Sequence, residues 1–333
     1  MDKSINKDIS KLKNVTARRS RNFDMSRYSI FIIVIATLLF LSLSRDNFFT
    51  YQNIYSIFYG LSIEFYAVIG LTLLLIMGEV DLSIGSVFAF AGIFVGVMVL
   101  KTGMPVWIAI PVSLLVCGVI GLINGFFIIK FKINSLMMTI GTMILFRGIA
   151  DGLIRLLEGV TYPSEYRMVS KIKIAGEFNL TIIFFILIII ILEILLYYNI
   201  SFRKLYYIGE NIFSARLYGI KTDRIKMIIF IISSIGAGIA GILAASRSGH
   251  SVHNTGVGLE FKMITAAVLG GASLFGGKGS ILRSAAGLLF LATIFNGFVM
   301  YNIDPVFTGV VTGAVLLIVI IIDTRINREK IEY

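Results

Sequence analysis

Apolar residues fill this chain in near-continuous runs, separated by short polar breaks. A helix crosses about 30 Å of hydrocarbon with about 20 residues, at roughly 1.5 Å of rise each. Runs near 28–44, 56–77, 83–100, 106–129, 136–156, 180–198, 226–245, 261–275, 281–300 and 304–322 therefore predict ten spans. Several are short or interrupted by glycine. The predicted fold is all-α and polytopic, with about ten transmembrane helices and Gly-rich broken or re-entrant segments.

Composition removes competitors. Of 333 residues, 57% are hydrophobic and 15% charged, with a mean hydropathy of +0.91. A water-soluble fold of this length needs more polar surface, whereas a bundle whose wall faces lipid does not. Cys117 is the only cysteine, which excludes an intrachain disulfide framework and a cysteine cluster for metal.

Charge supplies orientation. Residues 1–27 carry eight Lys or Arg against three Asp ahead of any apolar run, so they read as a basic cytoplasmic tail and not as a cleaved signal peptide. Basic residues recur at Lys130 and Lys132, through the 199–226 loop, at Lys278 and Arg283, and in the 324–333 tail. With ten spans, these all fall on one side of the membrane domain (residues 28–323). The positive-inside tendency makes that side the cytoplasm and places both termini there. The net charge of +11 lies in these breaks, without the interleaved basic face that nucleic-acid binding needs.

Three breaks carry the candidate chemistry. In "GEVDLSIGS" (78–86), Glu79 and Asp81 stand between two strongly apolar runs. Charge in hydrocarbon is costly, so they must meet water, find partners or serve a mechanism. At the cytoplasmic junction of the second and third spans, Asp81 or Ser83 can cap the entering helix; a buried coupling or gate role is the alternative. Glu79 can pair with a basic residue of the cytoplasmic loops.

The second break, within "AAVLGGASLFGGKGSILRSAAG" (266–287), concentrates Gly270, Gly271, Gly276, Gly277 and Gly279, which permit close backbone approach. It imitates a phosphate loop, but Ala272 stands where the first glycine is required and Gly279 where Ser or Thr is required. A tight turn between packed helices is the simpler reading.

The third, "YYIGENIFSARLYGIKTDRIKM" (206–227), predicts about two helical turns over Asn211 to Leu217, with Ile212, Ala215 and Tyr218 on a similar side and Gly219 ending them. So short a helix is unstable alone and must lie on the bundle or on a partner; a helix that only reconnects two spans gives the same pattern.

Other constellations are weaker. His250 and His253 lack the further ligands of a metal site, so an ordinary exterior loop fits better. Arg147, Asp151 and Arg155 recur at helical spacing and can pair internally, reach water or line a path. Asn124 and Asn134 can bond between helices. No arrangement of catalytic side chains is present, so no enzymatic site and no cofactor are expected in this chain.

The chain resembles the permease subunit of bacterial ribose and related monosaccharide ABC importers, within the broader family that includes branched-chain amino acid permeases. The resemblance covers about residues 45–325 and rests on "NFFTYQNI" (47–54), "EVDLSIGSVFAFAG" (79–92), "GENIFSARLYGIKTDRIKMIIF" (209–230) and "GVGLEFKMITAAVLGGASLFGGKGSI" (256–281). It implies a multi-pass subunit of the bacterial plasma (inner) membrane. Implied partners are cytosolic ATP-hydrolysing subunits, a second permease subunit, identical or paralogous, and an extracytoplasmic solute-binding protein.

By position, the resemblance puts the ATPase contact at about Glu210, Asn211, Ala215, Arg216, Gly219 and Ile220, and matches Asp81, Ser83 and Gly85 to the family's first acidic, hydroxyl and glycine positions. Two positions depart from the pattern. Glu79 stands where glycine is common and Lys262 where an acid is common, an opposite-sign couple that is a candidate compensating pair. The solute implied is a monosaccharide such as ribose, with a nucleoside or a branched-chain amino acid as alternatives. A stand-alone ion-coupled carrier, with Asp81 as its coupling site, is a competing class.

Overall fold

The computed structural model describes residues 25–326, apart from 158, 175–177 and 253. Most of the basic tail, the C-terminal tail beyond Ile326 and His253 lie outside the described residues. The order is α1 (Met25–Ser44), α2 (Tyr51–Ile76), α3 (Ile84–Thr102), α4 (Val106–Lys130) and α5 (Ser135–Ile154); α6 (Ser164–Met168), β1 (Lys173–Ile174) and β2 (Phe178–Asn179); then α7 (Leu180–Tyr198), α8 (Ile200–Glu210), α9 (Ile212–Leu217), α10 (Thr222–Ser248), α11 (Leu259–Leu269), α12 (Ile281–Met300) and α13 (Phe307–Ile326).

Among the described residues, eight helices are long and apolar enough to cross a membrane, and α1 adds a shorter apolar one. The expected span at 261–275 is only partly helical. α11 has 11 residues, or about 16 Å, and the chain then runs without helix from Gly270 to Ser280. This is the broken span that the clustered glycines predict.

α10 is the axis of the bundle and packs on α2, α3 and α4. Small residues make the approach close: Gly70 of α2 lies on Ser233, Gly121 of α4 on Phe230, and Gly241 of α10 on the backbone of Phe88 in α3. In lipid, where burying apolar surface between helices gains little, such contacts are a main source of association. The gradient from axis to wall is steep. The most apolar stretch of α2 is 83% buried and that of α13 is 11% buried. Exposed Ile190, Ile191 and Ile194 on α7 and Val310, Leu317 and Ile321 on α13 form the apolar wall.

The connection between α5 and α7 folds onto the bundle end opposite α8 and α9. Its hairpin pairs Lys173 with Asn179 and Ile174 with Phe178 in antiparallel register. Tyr162 and Tyr166 are buried, the Tyr166 hydroxyl donating to the Gly92 carbonyl at 3.1 Å.

Candidate functional site

The site is the meeting point of the two breaks with α8 and α9. α2, α9 and α11 end alike. Glu79 N–H donates to Leu74 O at 3.0 Å and Gly78 N–H to Leu75 O at 2.9 Å; Ile220 and Gly219 repeat this on Ala215 and Arg216, and Ala272 and Gly271 on Ala267 and Val268. The turn needs a left-handed residue, supplied by Gly78 (φ 75°), Gly219 (φ 76°) and Gly271 (φ 86°). Each helix therefore stops sharply, and the chain leaves in a fixed direction.

These exits converge. Gly277 N–H donates to Ile76 O at 2.8 Å, joining the second break to the end of α2. Gly209 of α8 sits on the same spot, where a Cβ would land on the Ile76 carbonyl oxygen and 2.5 Å from Gly277 N. A Cβ on Gly276 would lie 2.9 Å from both Gly209 Cα and Gly78 N. Three chain segments thus touch backbone to backbone at Gly78, Gly209 and Gly276. Around them, the Tyr206 hydroxyl of α8 donates to Gly279 O at 3.0 Å, Gly270 packs on the backbone of Arg283, and Asp323 of α13 accepts from Ser273 Oγ and Leu274 N–H, both at 3.1 Å. Glu193 of α7 accepts from Ser280 Oγ at 2.8 Å and Leu282 N–H at 3.1 Å, holding the start of α12.

The carboxylates of the first break separate in role. Glu79 pairs with Lys226 of α10. Asp81 is fully buried, level with Ser233, seven residues and therefore about 10 Å farther along α10. It sits at the junction of α2 and α3, as expected from the sequence, but inside the bundle. Asp81 Oδ1 accepts from Ser83 N–H at 2.9 Å and Ser83 Oγ at 2.5 Å, and Oδ2 from Ser233 Oγ at 3.2 Å. The aspartate therefore does the capping, while Ser83, the N-cap residue, makes no side-chain cap bond.

The network continues outward, with Asn124 Nδ2 donating to Ser83 Oγ at 3.2 Å and Thr142 Oγ1 to Asn124 Oδ1 at 2.6 Å. Ser135 and Thr139 of α5 accept from the Val80 and Leu82 amides at 3.4 and 3.1 Å. The Val80, Leu82 and Ser83 amides of this non-helical stretch are thereby satisfied inside the bundle, as burying irregular backbone requires. Asn134 bonds locally instead, capping α5 at the Leu136 amide. Glu79 and Lys262 are not partners of each other, since Lys262 pairs with Glu64 of α2 at 2.6 Å.

α9 is seated by buried Ala215, with Ile212 and Ile220 half-buried beside it, and capped by Asn211, whose side chain accepts from Ser214 N–H at 2.9 Å. Arg216 folds back to Asp223 at 2.8 Å and Thr222 at 3.0 Å, and Glu210 closes α8. Tyr218 does not share the Ala215 face. It lies past the last helical residue and points outward, 87% exposed, beside exposed Phe213 and Leu217.

Sequence reasoning missed Gly209, Ser233 and the Ser135–Thr139–Thr142 ladder. The ladder carried a signal, hydroxyls recurring on one face of an apolar helix; Gly209 opens the 209–230 motif, but nothing in the sequence marked it as a point of contact.

A bundle of membrane-crossing helices with two pinned breaks and an appended short helical pair is the build of a transport permease. The chain belongs to the family described as branched-chain amino acid transport system / permease component, whose model matches residues 53–320. It is 34% identical over 306 residues to the L-arabinose transport system permease protein of Escherichia coli (strain K12), covering 91% of this chain and 92% of that one. Identity is 31% over 298 residues with the autoinducer 2 import system permease protein of Photorhabdus luminescens, 89% of each chain. With the ribose import permease protein of Haemophilus influenzae it is 28% over 332 residues, 96% of this chain and all of that one. No solved structure was found to match the chain.

Proposed function

We propose that this chain is the membrane subunit of an ATP-driven importer of a monosaccharide. In this reading it works with cytosolic ATPase subunits, a second permease subunit and an extracytoplasmic solute-binding protein in a bacterial plasma membrane. The names of the L-arabinose and ribose relatives support the solute class, and the autoinducer 2 relative keeps the particular solute open.

The observation that carries the mechanism is the backbone contact of Gly209 with Gly78 and Gly276. α8 and α9 face the cytoplasm, as do both termini. The ATPase bears on the exposed side of α9 at Phe213, Leu217 and Tyr218, while Asn211, Ala215, Gly219 and Ile220 shape and seat that helix. Motion of the ATPase subunits on binding ATP reaches α8, whose Gly209 has no side chain to deform, and passes into both breaks together. The breaks then reorient the helices they join, exchanging inward and outward openings. Asp81, bonded to hydroxyl and amide donors, holds the first break in shape, which supports a structural role for it over that of a carrier's coupling group.

The test is uptake of labelled ribose, L-arabinose and leucine by proteoliposomes holding the chain with its cognate ATPase, primed with the cognate binding protein. Monosaccharide uptake that needs ATP and ignores an ion gradient is expected. Uptake driven by an ion gradient with no ATPase present would sink this reading in favour of the carrier.

A further inference from the structure

A cavity of about 550 Å³ lies at the bundle end opposite α8 and α9, lined by Arg147 and Asp151 of α5, by Arg155 just past its last residue, all at four-residue intervals, and by Asn254 and Glu260 across from them. Its volume is within the roughly 300–1,000 Å³ of small-molecule sites. Glu260 is 5% exposed, yet its Oε2 has no hydrogen-bond donor among the described residues. Leaving a buried acceptor unpaired is costly, and the cost is removed by any molecule that brings a donor. Gly85 makes the room: a Cβ there would collide with the Glu260 carboxylate. Arg147 is committed to the neighbouring loop, with Nη1 donating to Thr255 O at 2.6 Å and Nη2 to Gly256 O at 3.0 Å.

We infer that this cavity is a solute site for a neutral polyhydroxylated molecule of monosaccharide size, with Glu260 accepting from its hydroxyls. The inference rests on the importer reading above. Two cations face two carboxylates, so the lining has no net charge to balance. A hydroxyl both donates and accepts, which suits walls that alternate Arg with Asp and Glu. Met143, Ile144 and Val257 add apolar surface for the C–H face of a sugar ring. An amino acid fits less well, because the paired end nitrogens that Arg147 would turn to a carboxylate in a bidentate clamp already hold the loop carbonyls.

The experiment is thiol labelling at Met143→Cys in the full-length chain in proteoliposomes; buried Cys117 serves as the unlabelled background. Ribose and L-arabinose are the probes, with leucine beside them. A monosaccharide is expected to slow labelling, and Glu260→Gln, which keeps the side chain's size, to raise the protecting concentration about tenfold, as loss of a charge-assisted bond does. Thermal unfolding of the Gln variant checks that the fold is kept. Protection by leucine alone overturns the polyol assignment, and labelling indifferent to every monosaccharide, or protection unchanged in Glu260→Gln, overturns the site. Because labelling reports occupancy without ATP, those failures are separate from loss of ATP-dependent uptake, which would overturn the importer reading instead.

Discussion

The two ends of the bundle are built on opposite plans. At the α8 end, Gly78, Gly209 and Gly276 bring three backbones together with no side chain between them. At the far end, Arg147, Asp151, Arg155 and Glu260 project around about 550 Å³ of space. Backbone contact is stiff and carries little chemical information, since each peptide looks like the next. Charged side chains around a space are the reverse, rich in chemistry and adjustable by rotamer. One plan suits the transmission of force and the other the reception of a molecule. Gly85 and Asp81, four residues apart, bridge the two: the glycine yields space to Glu260, and the aspartate fastens the first break.

The largest expected effects test the stiff end. Gly276 and Gly219 share nearly the same left-handed backbone, φ 78° and 76°, but only Gly276 is crowded, and nothing lies within 4 Å of a Cβ on Gly219. Gly219→Ala should cost about 1–2 kcal/mol, the strain of the conformation. Gly276→Ala should cost more than about 3 kcal/mol, because backbone atoms of Gly209 and Gly78 must also move. Gly209→Ala separates the same two effects with the opposite baseline. In open helix it stabilises by about 0.5–1 kcal/mol, as expected at uncrowded Gly141, whereas at Gly209 it should destabilise. Thermal unfolding in detergent measures all four; equal shifts for Gly276→Ala and Gly219→Ala would show that the junction is loose.

Next in size is the fastening of the first break. Asp81→Ala strands the Ser83 amide, the Ser83 hydroxyl and the Ser233 hydroxyl and should cost about 2–3 kcal/mol. Asp81→Asn keeps one oxygen for Ser83 and offers an N–H to the Ser233 oxygen, so it should lose less than half as much and retain transport. A stable Asp81→Asn variant devoid of uptake would show that the charge itself is used, as in a carrier.

Smaller still are the ion pairs. The side chains of Glu79 and Lys226 are 12% and 14% exposed, those of Asp223 and Arg216 57% and 51%. Removing one partner of a buried pair leaves the other desolvated, so Glu79→Gln should cost about 1–2 kcal/mol, whereas Asp223→Asn should fall within the 0–1 kcal/mol of exposed pairs. Melting temperatures in low and high salt decide this, because only the exposed pair should weaken as salt rises.

Legibility in the sequence followed the range of the interaction. α7 and α12 are bounded as their apolar runs predict, at 180–198 and 281–300, because lipid imposes a length that hydropathy alone reveals. The end of α9 was legible too, since a glycine eight residues past the capping Asn211 is a local signal. Partners were not. Glu79 was expected to meet a basic residue of the cytoplasmic loops and finds Lys226, 147 residues away, but no residue was named for it; Lys262 finds Glu64, 198 residues away, although opposite departures from a family pattern made Glu79 and Lys262 a candidate pair. Tyr218 was misplaced for a local reason, because helical spacing was extended one residue beyond the turn that ends the helix. The junction itself depends on Gly209, and a glycine announces a close approach without naming what approaches.

The smallest effect on the fold should carry the largest consequence for assembly. Leu217 is 89% exposed on the outward side of α9, so Leu217→Asp removes no packing, and its unfolding should stay within about 0.5 kcal/mol of the parent, as for surface changes generally. Ala215→Asp, on the opposite face and 2% exposed, forces a carboxylate under the helix and should unseat α9 from the bundle. If the exposed face receives the ATPase, both variants lose the ATPase on co-purification, but only Ala215→Asp loses stability. Retention of the ATPase by Leu217→Asp, and likewise by Phe213→Asp and Tyr218→Asp, would place the contact elsewhere and leave α9 as a connector between α8 and α10. That outcome would still preserve the junction at Gly209, because the backbone contacts there do not depend on which side chains of α9 a partner touches.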